Sequence, residues 1–392
     1  MSALQNLKVL DFSTLLPGPF ATMMLADMGA EVLRIESATR PDMSRELPPF
    51  LGGVSTKHAA LNRNKRAITL DLKNANVVQL VEKMVAEYDI LVEQFRPGVM
   101  DRLGLGYDRL KEINPRLIYC SITGYGQTGP YRDRAGHDNN YLSIAGINDY
   151  SGREGERPPL MGTQVADIAC GSLHGVVGIL AAVNHRHVTG DGQYVDISMT
   201  DAAFSLNVMY GSDYLAAGIE PSAGKEMING GSFYDYYETS DGRYISVGSL
   251  EPQYFERLCI TLGGEALLSQ GAKQDPVRQA AFKQTLEGIF KTKTLAQWQT
   301  IFSDQDACVE PVLRFSEACK HEQIRARDMV VSVPYEDGST VDQIAHPIKM
   351  SLSKPIYKHV GVKLGEHNEQ ILDEMNIDGS LRDTLLSSRG MS

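Results

Sequence analysis

A chain of 392 residues can bury a large core and exceeds the usual size of one domain, so two domains are expected. Hydrophobic residues at 42% and charged residues at 22% are ordinary for a soluble globular protein. With 38 Lys and Arg against 49 Asp and Glu the net charge is −11, which argues against a nucleic-acid surface, because phosphate binding needs a net basic face.

Leu7–Phe12 (LKVLDF) reads as a buried strand, Pro17, Gly18 and Pro19 as a turn opening a helix over Phe20–Met28, and Glu31–Glu36 as the next strand. Strands follow at Ala67–Leu72, Asp89–Glu93 and Leu117–Ser121, separated by helical stretches such as Asn76–Tyr88, the spacing of a mainly parallel α/β sheet. A long helix is expected from Asp167 toward His185. Gly171, Gly175 and Gly178 share one of its faces, where either tight core packing or close approach of another backbone would require them.

From Phe233 the texture changes to aromatic-rich strands, Phe233–Glu238 and Tyr244–Val247, joined by the turn Asp241–Gly242. Helical patterns at Pro252–Leu262, Pro276–Phe290 and Leu295–Phe302 complete a smaller α+β domain over residues 225–328. Residues 201–224 are expected to link the two. After Met329, extended segments and a helix over Asn368–Met375 would return to the first domain, giving a large α/β domain from residues 1–200 and 329–392.

Cys120, Cys170, Cys259, Cys308 and Cys319 are odd in number and contain no C-x-x-C pair, as expected of reduced thiols in a cytosolic protein. The opening MSALQNLKVLDF lacks leader character, no run of eighteen apolar residues occurs, and the ending SSRGMS is not a peroxisomal address. A cytoplasmic location with no membrane partner is the expectation. His185 and His187 stand two apart with no nearby carboxylate or thiol, so no metal site is expected.

Three segments each carry a candidate acid or base: Ala135–Tyr141 (AGHDNNY), Val165–Ser172 (VADIACGS) and Leu250–Glu256 (LEPQYFE). His137 follows a basic, Gly-rich loop and precedes Asp138, Asn139 and Asn140, a polar density that favours a site over a core histidine. Asp167 at a helix start is either an N-cap or a carboxylate beside N–H groups that could hold an oxyanion. Glu251 precedes Pro252 at another helix start, where a dipole partner and a functional carboxylate look alike.

Taken together, and in this order, these segments resemble the α-methylacyl-CoA racemases of the family III CoA-transferase (CaiB/BaiF) superfamily. Pro17–Phe20, Leu70–Lys73 (LDLK), Phe95–Gly98 (FRPG), Thr123–Gly126, Gly230–Gly231 and Asp306–Val312 (DACVEPV) also carry the resemblance. It implies an interlocked homodimer whose protomers each have a large Rossmann-like domain and a small domain. It further implies an isomerase that inverts C2 of a 2-methyl-branched acyl-CoA through an enolate. Asp167 would serve one face of the carbon, and His137 paired with Glu251 the other.

Coenzyme A would enter as part of the substrate, and no separate cofactor would be required. By the same resemblance its contacts would come from Arg34, Leu70, Asp71, Leu72, Lys73, Arg96, Gly136, Asp138, Asn139, Asn140 and Tyr141. The alternative is a CoA-transferase using Asp167 as nucleophile. Gln94, where the family usually has asparagine, and Cys170–Gly171–Ser172, where it has a more Gly-rich run, depart from the pattern.

Overall fold

The computed structural model describes residues 2–271, 275–377, 379 and 382. They form two compact units, one drawn from Met1–Ala145, Met161–Ser205 and Gln323–Ser392, the other from Gly146–Leu160 and Leu206–Glu322.

In the first unit six parallel strands form one sheet: β1 (Lys8–Asp11), β2 (Glu31–Glu36), β3 (Lys65–Thr69), β4 (Ile90–Glu93), β5 (Ile118–Thr123) and β6 (Tyr194–Ser198). Their order is β3-β2-β1-β4-β5-β6, so the chain reverses its direction of travel between β1 and β4. In such a sheet the carboxyl ends of the strands at that reversal leave a crevice for a ligand. Central strands are covered on both faces, which is why Val9, Leu10, Leu33, Ile90 and Leu91 read as continuous apolar runs.

Helix α1 covers Pro17–Asp27, beginning three residues earlier than the sequence suggests, because the expected turn prolines occupy the first helical turn, where a missing N–H costs nothing. Helix α2 (Ala75–Glu87) buries Val77, Leu80, Val81, Met84 and Val85 on the sheet. Strand β3 starts at Lys65, not Ala67. The Lys65 ammonium is buried, donating to Asp11 (3.1 Å), Thr22 (2.7 Å), Asn62 (2.9 Å) and the Pro19 carbonyl (2.9 Å). Strand β6 and the short helix α3 (Asp138–Ile144) were not expected from the sequence.

Helix α4 spans Ala166–Thr189, its first eight residues in wide π-type turns and the rest α-helical. By length and composition it could cross a membrane, yet it packs on β5, β6 and α1. A β-carbon at Gly175 would lie 3.0 Å from Ile122 and one at Gly178 2.8 Å from Val195. Tight core packing is therefore what these glycines serve. Helix α5 (Met199–Ser205) follows β6 directly.

The second unit has an antiparallel sheet of β7 (Asp235–Glu238), β8 (Tyr244–Val247) and β9 (Val309–Pro311), ordered β9-β8-β7. Helices α6 (Pro252–Leu262), α7 (Glu265–Gly271), α8 (Pro276–Phe290) and α9 (Leu295–Phe302) enclose an aromatic core of Phe233, Tyr237, Phe255, Phe282, Phe290 and Trp298. The Trp298 indole N–H donates to the Phe290 carbonyl at 2.8 Å, which satisfies its one polar atom inside that core.

The division of the chain differs from the expected one, and residues 323–328, expected in the smaller domain, fall in the first unit. Residues 146–160 belong to the second unit, where Tyr150 donates to Asn207 (2.7 Å) and Arg153 to Asp235 (2.6 Å). The expected linker 201–224 is largely helical, with helices at Met199–Ser205 and Tyr210–Ala217. No disulfide joins the five cysteines.

Candidate active site

A cavity of about 470 Å³ opens in the first unit where β1, β4 and β5 end. Its walls are the loops that follow those strands, with Leu15, Leu16 and Pro17 after β1, Gln94, Phe95 and Arg96 after β4, and Thr123, Gly124 and Tyr125 after β5. The start of α3 and the first turn of α4 supply His137 and Asp167 to the same cavity. This is the crevice that the strand order predicts.

His137 is exposed at the N-cap of α3, where its own N–H donates to Asn140 Oδ1 at 3.0 Å. Tyr141 is buried, donates its hydroxyl to the Gly136 carbonyl and meets the Tyr125 ring edge-on at 5.2 Å. A β-carbon at Gly124 would lie 2.4 Å from the Tyr141 ring, and one at Gly136 2.6 Å from it. Both glycines are thus required by one aromatic side chain that fixes the approach to His137.

Asp167 is partly buried. Burial pushes its carboxyl up to about 6, the neighbouring Asp138 carboxylate adds to the rise, and His137 opposes it. Asp138 reaches across from α3, its Oδ1 accepting from the N–H of Ala166 (2.6 Å) and of Asp167 (3.1 Å). Those donors are therefore committed to a side chain. The expected oxyanion role for N–H groups at this helix start does not hold for residues 166 and 167.

Arg34 is corrected. It is 1% exposed and outside the cavity lining, ion-paired with Glu36 at 3.0 Å and hydrogen-bonded to Asn62 and Asp42, so its guanidinium is not offered to a phosphate. Asp42 in turn accepts from the Leu15 N–H at 2.9 Å, which ties this buried cation to the cavity wall. Leu70 is likewise a core residue, 1% exposed. Asp71, Leu72 and Lys73 form the turn before α2, with the Lys73 N–H on Asp71 Oδ1 at 3.1 Å, and lie outside the cavity lining, as does Asn139. Asp138 serves as the clamp just described.

Arg96, Gly136, Asn140 and Tyr141 do line the cavity. Arg132 and Arg134 join them, and Arg134 stacks on Tyr131 with 3.7 Å from guanidinium carbon to ring centroid. Three arginines lining one cavity suit a polyphosphate. The sequence signal for the two added ones was the basic run Tyr131–Arg134. Gln94, one departure from the family pattern, accepts from the Gly18 N–H at 3.0 Å, and Ser172, in the other, donates to the Pro17 carbonyl at 2.6 Å. Both hold the start of α1 in place.

Glu251 lies in the second unit, exposed at the N-cap of α6, where its carbonyl accepts from the N–H groups of Tyr254 (3.0 Å) and Phe255 (2.9 Å). Among the described residues no cluster of three or more His, Cys, Asp or Glu side chains is arranged to hold a metal ion.

The parallel sheet thus places a carboxylate and a histidine together at its reversal point, an arrangement that suits an α/β enzyme. Residues 4–368 match the model of CoA-transferase family III, and the chain belongs to that family. Human alpha-methylacyl-CoA racemase is 36% identical over 378 residues, covering 95% of this chain and 93% of that protein. Succinate–glutarate CoA-transferase of Agrobacterium fabrum is 33% identical, covering 95% of each. The crystal structure of a CaiB/BaiF family protein from Brucella suis aligns with a TM-score of 0.84 at 31% identity, over 95% of this chain and 99% of that one.

Proposed function

We propose that the protein is a racemase or epimerase that inverts C2 of 2-methyl-branched acyl-CoA thioesters. The observation that carries this reading is the cavity into which His137 and Asp167 both open. A thioester acidifies its neighbouring carbon by spreading charge onto the carbonyl oxygen. Loss of the C2 proton gives a planar enolate, and return of a proton to the opposite face inverts the centre.

Asp167 suits such a step because a carboxyl held near 6 exchanges protons readily at neutral pH. His137 is the partner for the other face, oriented by Glu251 contributed from a second copy of the chain in a homodimer. Arg96, Arg132 and Arg134 would meet the phosphates of coenzyme A, which enters as part of the substrate with no further cofactor.

The resemblance at His137 and Glu251 to racemase motifs favours proton transfer over CoA transfer, although relatives of both kinds are similarly close. The test is a panel of 2-methylacyl-CoAs in D₂O, read by NMR and chiral analysis. Deuterium at C2 with loss of stereochemical purity, needing no second acyl acceptor, is the expected result. Rapid movement of CoA onto a free acid while C2 keeps its proton would replace this reading with a transferase in which Asp167 is the nucleophile.

A further inference from the structure

Asp138 adjoins His137 in sequence, yet its carboxylate is directed at the other proposed base. Oδ1 accepts from two successive N–H groups, at 2.6 Å from Ala166 and 3.1 Å from Asp167, bridging α3 to the first turn of α4. A carboxylate that accepts two backbone donors fixes that turn and also sets a negative charge beside Asp167. The π-type turns of Ala166–Leu173 make the clamp consequential, since that stretch departs from regular α-helical geometry and its start is held from outside.

We propose that Asp138 is a positioning residue for the reaction, holding the Asp167 turn in place through two hydrogen bonds and setting its negative charge beside the Asp167 carboxylate. This rests on the reading that Asp167 moves a proton. The titratable and charged side chains on the elements packed around Asp167 are Cys170 and His174 on α4 with His185, Arg186 and His187 at its far end, Tyr141 on α3 with His137 at its cap, Tyr194 and Asp196 on β6, Asp201 on α5, Tyr119 and Cys120 on β5, and Asp27 at the far end of α1. Apart from burial, Asp138 and His137 are the groups that act on the Asp167 carboxyl, in opposite directions.

Two substitutions separate hydrogen bonding from charge. Asp138→Asn keeps an amide oxygen for both N–H groups and removes the charge; Asp138→Ala removes both. With a 2-methylacyl-CoA in D₂O, Asp138→Asn should move the acidic limb of C2 exchange down by about half to one pH unit with KM within about twofold. Asp138→Ala should lose about 10- to 100-fold in kcat, with the Asn variant recovering most of it. Separately, ¹³C-carboxyl aspartate labelling, with Asp167→Asn used to assign the signal, follows Asp167 itself. Its midpoint should fall in Asp138→Asn whatever the reaction proves to be.

An unmoved midpoint overturns the charge effect, and an Asp138→Ala enzyme with wild-type kcat overturns the clamp. Absence of C2 exchange in the wild type sinks the racemase reading and the catalytic role together, whereas the ¹³C titration still decides whether Asp138 tunes Asp167. Circular dichroism at each pH shows whether a variant is folded, and the Asn variant, being nearly isosteric, keeps the test alive if the Ala variant is not.

Discussion

Asp167→Asn should destroy activity and stabilise the protein, and the two effects share one cause. The carboxyl titrates near 6 in the folded chain against 3.8 for an ordinary aspartate, because burial and Asp138 disfavour its charge. Between those values the native state binds more protons than the unfolded state, so stability falls as pH rises from about 4 to 6 and then levels off. A shift of about two units corresponds to about 3 kcal/mol at ~1.4 kcal/mol per unit, and solvent screening of this partly exposed group reduces it to about 1–2 kcal/mol. The asparagine carries no such charge. Urea unfolding of both proteins at one fixed concentration, from pH 4 to 8, should show nearly equal stability near pH 4. The variant should lead by about 1–2 kcal/mol above pH 6.5. Because the chain has two units, the comparison belongs to the transition that unfolds the first. A variant no more stable than wild type at pH 8, or a difference independent of pH, would refute the reasoning.

Arg34→Ala strands the buried carboxylate of Asp42 and should cost roughly 3–5 kcal/mol in the same unfolding assay; a loss below about 1 kcal/mol, with only KM raised, would restore a direct ligand role. Arg96→Ala leaves the fold intact and should raise KM several-fold with kcat little changed, because the phosphates it would meet are the same in ground and transition state. Coexpressed, differently tagged Asp167→Asn and Glu251→Gln chains should give hetero-tagged dimers with about half of wild-type activity, each parent homodimer having lost about 10²–10⁴-fold. Hetero-tagged dimers no more active than either parent would place all the proton-transfer groups within one chain.

Period and punctuation made the first five parallel strands and the helices after Pro252 and Pro276 legible, because their apolar runs reflect burial directly. Charged segments in unusual surroundings were harder. Lys65 reads as surface and is 1% exposed, its ammonium satisfied by Asp11, Thr22, Asn62 and the Pro19 carbonyl, so the start of β3 was hidden. Arg34 failed for the same reason: a cation's partners, not its type, decide whether it meets a ligand. Strand β6 was missed because this edge strand, paired with β5 alone, leaves most of its residues partly exposed and has no strong apolar run. His137 and Asp167 could be found as chemistry within motifs. Their meeting in one cavity followed only from the family resemblance and not from pattern or spacing, since it depends on the 28-residue return from Asp138 to Ala166 that a side chain closes.

The ring of Tyr141 makes the cavity unequally adaptable. With Gly124 and Gly136 both lying against it, the wall near His137 has no room for a larger side chain without displacing an aromatic residue that is already buried. Of the other lining residues, Leu15 is exposed and Met199 is a flexible thioether lying against Gly171, so those two positions can be reshaped by ordinary side-chain exchange. Variation in acyl-chain preference, whether selected in the laboratory or arising by drift, should therefore accumulate at positions 15 and 199, while 124 and 136 stay glycine in every functional descendant.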